Sequence, residues 1–155
     1  MVGFGSIRKM RSMDLADELA ETLDSLIASD SVASIALSGG SSPIGLYQDL
    51  SKKAIDWHRV KVTLIDDRKV PADHQDSNQL LLKETLFQDK AARAKFVSLE
   101  EWPINQSPNI GILGMGEDGH FASLFPAMLD IDLAFNPEAK PKVISTAPMG
   151  NPKVS

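Results

Sequence analysis

Residues 109–126 read NIGILGMGEDGHFASLFP. The opening run, Ile110-Gly111-Ile112-Leu113, is apolar and short enough for one buried parallel strand. It breaks into Gly114-Met115-Gly116-Glu117-Asp118-Gly119-His120, where three glycines in six residues let the backbone take positive φ and approach a ligand closely. An acid, Asp118, and an imidazole, His120, sit two residues apart in that loop. In open α/β sheets ligands bind beyond the carboxyl ends of strands, so chemistry is expected here. The stretch also fits the dinucleotide pattern G-x-G-x-x-G, which should open a helix in an early βαβ unit. Here it falls late in the chain, and Pro126 leaves room for barely two helical turns. The other alternative is a glycine-rich turn carrying a solvated Asp and His.

Working outward, the 155 residues suit a single α/β domain, 1–155, with a sizeable core. A net charge of −5 with no basic stripe argues against nucleic acid as a partner. The absence of cysteine excludes disulfides, zinc-thiolate sites and a cysteine nucleophile, and it fits a reducing cytoplasm. Residues 1–11 have no apolar signal core, and nowhere do about 18 apolar residues run together, so no membrane association is expected.

Ser12 is placed to cap a helix over about residues 13–28, with Leu15, Leu19, Leu23, Leu26 and Ile27 at helical spacing. A short strand then ends in Ser38-Gly39-Gly40-Ser41-Ser42-Pro43. Pro43 suits the first helical position with Ser42 as cap, so strand, Gly/Ser loop and helix start form a candidate anion cradle. It lacks the lysine of a P-loop. A second strand ends at Asp66-Asp67-Arg68, where the guanidinium could grip phosphate or carboxylate, or simply pair with the two acids. Asp76-Ser77 predicts a helix through Leu80, Leu81 and Phe87. His58 and His74 have no motif around them and read as surface residues or as residues one layer behind a site.

This alternation predicts an α/β, three-layer, Rossmann-like fold, a mainly parallel sheet with helices on both faces. Strands are expected near 32–37, 60–65, 95–99, 109–114 and 142–147. One connection does not fit. Residues 100–108 contain two prolines and cannot form the helical crossover that adjacent parallel strands require. Either those strands are not neighbours or a segment is absent.

Three stretches together resemble the 6-phosphogluconolactonase family, related to the glucosamine-6-phosphate deaminases. They are SGGSSPIGLY (38–47), DDRKVPADHQDSN (66–78) and LGMGEDGHFASLFP (113–126). Order, spacing and context match over most of residues 12–155, and the SLFP ending favours the lactonase branch. There are departures. Asp67 stands where the family usually has Glu, and Phe121 where Thr is usual. The helical segment expected between Trp102 and Asn109 is largely missing. The family also continues beyond residue 155 with basic residues that hold phosphate, of which Lys153 is offered as one counterpart. The chain is thus expected to be a fragment, an incompletely represented protein or a shortened relative.

The resemblance implies hydrolysis of 6-phospho-D-glucono-1,5-lactone to 6-phosphogluconate in the oxidative pentose phosphate pathway, without metal or organic cofactor. His120 would be the general base and Asp118 its orienting partner. Gly39, Gly40, Ser41, Ser42 and Arg68 would hold the phosphate, in one cavity with the 114–120 loop. Asp66, Asp67, Gly114, Gly116, Gly119 and Lys153 complete the implied substrate site, and amides of the 114–119 loop would meet the oxyanion. Two alternatives stay open. One is an amino-sugar-phosphate deaminase using Asp67 to move a proton; the other is a sugar-phosphate binder without activity.

Overall fold

The computed structural model describes residues 11–128, 136, 138, 140 and 142–147. Helix α1 (Ser12–Asp30) buries Ala16, Leu19 and Leu23 at three- and four-residue spacing, while Asp17, Glu18, Glu21 and Asp24 stay exposed. It starts one residue early. Arg11 occupies the cap position without a side-chain cap bond, and the Ser12 hydroxyl donates instead to Asp49 at 3.1 Å. Asp49 belongs to α2 (Ile44–Ser51), on which α1 packs.

Strand β1 (Ala33–Leu37) is buried at every residue because it lies inside the sheet. It pairs in parallel with β2 (Val60–Leu64) on one side and β4 (Ile110–Ile112) on the other; β3 (Lys95–Phe96) lies beyond β2. The α/β class and the parallel sheet are those expected from sequence. Helix α3 (Asn78–Thr85) starts at Ser77, whose hydroxyl accepts from the amides of Gln79 and Leu80 as expected of a cap. It stops short of Phe87.

Because β3 and β4 lie at opposite edges, the proline-bearing segment 100–108 has no adjacent-strand crossover to make. It closes into turns, in one of which the Trp102 indole donates to the Gln106 carbonyl at 2.5 Å. The short β4 is seated by a side chain. Asn109 Oδ1 accepts from the Ser34 amide at 2.9 Å and the Ser34 hydroxyl at 2.7 Å, and the Asn109 amide donates back to that hydroxyl at 3.0 Å. Register then follows, Ile35 against Ile110 and Leu37 against Ile112.

The fifth expected strand is not formed. Residues 142–147 have no regular hydrogen-bonded structure, and Val143 and Ile144 are 57% and 42% exposed. A strand exists only as part of a ladder, and β-branched residues without a neighbouring edge cannot make one. No helix among the described residues is long and apolar enough to cross a membrane.

The core gathers Leu23, Ile35, Leu37, Leu50, Trp57 and Val62 around Tyr47. The Tyr47 hydroxyl donates to the Ser38 carbonyl at 2.7 Å, tying α2 to the end of β1. Burial pushes this phenol up to about 12. The unfolded chain, with a pKa of about 10, ionises first, so this contribution to stability is complete below pH ~10 and lost as pH rises toward 12. Tyr47→Phe is expected to cost about 1–2 kcal/mol at pH 7 by stranding the carbonyl. It should also flatten the alkaline fall in urea midpoint, which denaturation across that pH range measures.

Candidate active site

The sheet order places a switch point between β1 and β4. The chain leaving β1 runs toward β2, whereas β4 lies on the other side, so their exit loops part above a shared edge. Leu37 is in register with both Leu64 and Ile112, so the loops after β1, β2 and β4 emerge together. This is the arrangement expected from sequence.

In the first loop, Ser41 and Ser42 are exposed, Gly39 is half-buried, and Gly40 takes a φ of 92°. Ser42 is not the cap of α2. Pro43 already has helical geometry, with φ −84° and ψ −2°, and its carbonyl accepts from the Tyr47 amide, so the helix boundary moves one residue along. The Ser38 hydroxyl is buried and has no hydrogen-bond partner among the described residues.

The second loop separates its acids. Asp67 caps α3: its carboxylate accepts from the amides of Asn78 at 2.7 Å and Gln79 at 3.3 Å, from the Ser77 hydroxyl at 3.3 Å, and from the Arg68 amide at 2.8 Å. An anion at a helix start is electrostatically favoured. Asp66 instead accepts from the Ser123 hydroxyl at 2.6 Å, joining this loop to the third. Arg68 forms no ion pair with either acid; its Nη1 donates to the Asp76 carbonyl at 3.2 Å and to Asn78 Oδ1 at 2.6 Å.

The third loop does not open a helix, which removes the dinucleotide reading. It is a tight turn in which the Gly116 amide donates to the His120 carbonyl at 2.8 Å and the Gly119 amide to the Gly116 carbonyl at 3.0 Å. Of its three glycines only Gly119 has positive φ, 85°. Gly116 is required by close approach: a Cβ there would stand 2.2 Å from His120 Cε1. His120 Nδ1 lies 2.5 Å from Asp118 Oδ1, and the ring stacks on Phe125 with centroids 4.4 Å apart. The hydrogen bond from His120 holds the Asp118 carboxyl below the usual carboxylate range. An ionised carboxylate only accepts, so Nδ1 carries a proton and Nε2 is the nitrogen left to accept one. The i, i+2 spacing left this contact open; the tight turn closes it.

The expected common cavity is not formed as one space. The residues lining a cavity of about 980 Å3 include Asp66, Asp67, Arg68, Phe121, Ser123 and Lys142. Neither His120 nor residues 39–42 line it. The first loop instead meets the start of α3, where Gly39 lies against the Asn78 side chain. His58 and His74 are exposed, as expected. Lys153 lies outside the described residues. Sequence reasoning gave no role to Asn78, Ser123 or Phe125. The only available signal was their presence inside the quoted motifs.

Comparison with known proteins agrees with this architecture. A family described as glucosamine-6-phosphate isomerases/6-phosphogluconolactonase matches residues 8–107. A 6-phosphogluconolactonase of Pseudomonas aeruginosa is 38% identical over 156 residues, covering 90% of this chain and 64% of the relative. One from Rhizobium meliloti is 35% identical, covering 84% and 63%. The chain thus spans a little under two thirds of the length of these relatives. Among solved structures, a 6-phosphogluconolactonase from Shewanella baltica superposes with a TM-score of 0.76 at 35% identity, covering 83% of this chain and 62% of that one. The enzyme from Thermotoga maritima gives 0.75 at 25% identity, covering 96% and 72%. With the family matched over residues 8–107 and both sheet and loops in place, the chain belongs to the glucosamine-6-phosphate isomerase/6-phosphogluconolactonase family.

Proposed function

We propose that the protein hydrolyses 6-phospho-D-glucono-1,5-lactone to 6-phosphogluconate, in the cytoplasm, as a step of the oxidative pentose phosphate pathway. The observation that carries the reading is the His120–Asp118 pair at 2.5 Å, at the carboxyl edge of a parallel sheet. It is supported by the activity named for relatives at 38% and 35% identity. A lactone is an activated ester, so water can attack C1 without a covalent enzyme intermediate. His120 Nε2 takes the proton of that water as the C1–O bond forms, then returns it to the ring oxygen as the ester C–O bond breaks. Phe125 covers one face of the imidazole and Asp118 holds its far nitrogen, so the ring is aimed before substrate arrives.

The oxyanion role narrows. The Gly116 and Gly119 amides are committed within the turn and the Asp118 amide bonds its own carboxylate, whereas that of Glu117 has no acceptor among the described residues and is the proposed donor. Arg68, bound only to neutral acceptors, keeps its charge for the phosphate, for which residues 39–42 are the further proposed ligands. Asp67 is a poor proton carrier for the deaminase alternative, because its oxygens are engaged at the start of α3.

The test is turnover of the phosphorylated lactone by purified protein, with spontaneous hydrolysis subtracted and ammonia release from glucosamine 6-phosphate measured in parallel. Acid production well above background without ammonia is expected. Ammonia release would transfer the protein to the deaminase branch, and binding of 6-phosphogluconate without turnover would make it a binder.

A further inference from the structure

Asn78, the first residue of α3, is 2% exposed and touches two other pieces of the site. Its Nδ2 donates to the Asp66 carbonyl at 2.9 Å, its Oδ1 accepts from Arg68 Nη1 at 2.6 Å, and its amide donates to Asp67 at 2.7 Å. Gly39 of the first loop lies so near that a Cβ would stand 1.9 Å from Asn78 Oδ1 and 2.3 Å from its Cγ. One buried amide therefore joins the exit loops of β1 and β2 to the start of α3.

The two contacts that Arg68 makes through its side chain both fall on Nη1 and both go to uncharged oxygens. Its Nε and Nη2 donors have no partner among the described residues, and Arg68 lines the cavity. A guanidinium offers five N–H donors in a rigid fork. Holding one nitrogen from behind leaves the Nε–Nη2 edge for bidentate grip on an anion, with the positive charge unneutralised.

We propose that Asn78 is a positioning residue for phosphate recognition, fixing Arg68 through a neutral acceptor and locking it to the Gly39 loop. This rests on the reading of Arg68 as a phosphate ligand. The readout is the ratio of affinities for 6-phosphogluconate and gluconate, measured by calorimetry on the purified protein. Arg68→Ala should lower that ratio. Asn78→Ala should lower it about tenfold although Arg68 remains, and should change it by less than about twofold when added to Arg68→Ala. Asn78→Asp, of the same shape, puts a carboxylate against the guanidinium and should also lower the ratio; it decides the matter if the alanine variant folds poorly. A role confined to capping or packing would weaken both ligands together and leave the ratio intact, overturning the proposal. If Arg68→Ala itself leaves the ratio unchanged, the phosphate reading fails. If Arg68→Ala collapses the ratio while both Asn78 variants preserve it, only the role of Asn78 is lost.

Discussion

Replacement of His120 by alanine is expected to lower kcat at least about a hundredfold while leaving 6-phosphogluconate affinity nearly unchanged. General-base assistance is worth about 10²–10⁴-fold, roughly 3–5 kcal/mol at ~1.4 kcal/mol per decade. Affinity survives because the proposed phosphate ligands are on other loops, Arg68 after β2 and residues 39–42 after β1. Asp118→Asn should cost less, since asparagine can still accept from Nδ1 and loses only the charge. The carboxyl of Asp118 lies below its ordinary range because His120 donates to it, so the ionised contact is present above that range and lost only in more acidic solution. Steady-state rates corrected for spontaneous hydrolysis make the test. A folded His120→Ala enzyme within a few-fold of the parent would move the base elsewhere.

A second large effect is expected from a single methyl group. In Gly116→Ala the new Cβ would lie 2.2 Å from His120 Cε1, 2.4 Å from Nδ1 and 2.8 Å from Asp118 Oδ1. No such contacts are tolerated, so the ring must shift, and Phe125 blocks one of its faces. Displacing a catalytic group by about 1 Å can cost on the order of a hundredfold, and a fall of that size in kcat is expected. The loop is largely exposed, so the thermal midpoint should stay near the parent value. Gly114→Ala is the contrast: its Cβ meets only the Ser38 hydroxyl at 3.6 Å, an ordinary contact. Equal kcat for Gly116→Ala and parent would show that the ring position seen here is not the working one.

Much of the frame was legible in the sequence because β1 and α1 announce themselves by periodicity. ASIAL is apolar at four of its five positions, as an interior strand can be, and the leucines of α1 repeat at helical spacing. Strand ends were less legible: β3 and β4 are shorter than expected, and residues 142–147 form none, because a ladder depends on a neighbour that local sequence does not name. Caps failed for two reasons: a tertiary contact drew Ser12 to Asp49, and the local helical geometry of Pro43 moved the start of α2 past Ser42. The site followed the same rule. His120 and Asp118 could be paired as candidates from a glycine-rich loop. The division of labour between Asp66 and Asp67 could not, because it is set by Ser123 and by the start of α3, 57 and 12 residues further along.

The seat that Ser34 provides for Asn109 bears on how such a chain can change length. The partners are 75 residues apart, and their bonds locate β4 against β1 rather than against whatever precedes it. The place of the histidine loop is thus measured from the middle of the sheet, not along the connection after β3. Insertions or deletions between residues 97 and 108 can accumulate without moving His120, provided the asparagine still reaches its serine. The same decoupling explains how a turn-rich connection with two prolines serves where a helical segment was expected.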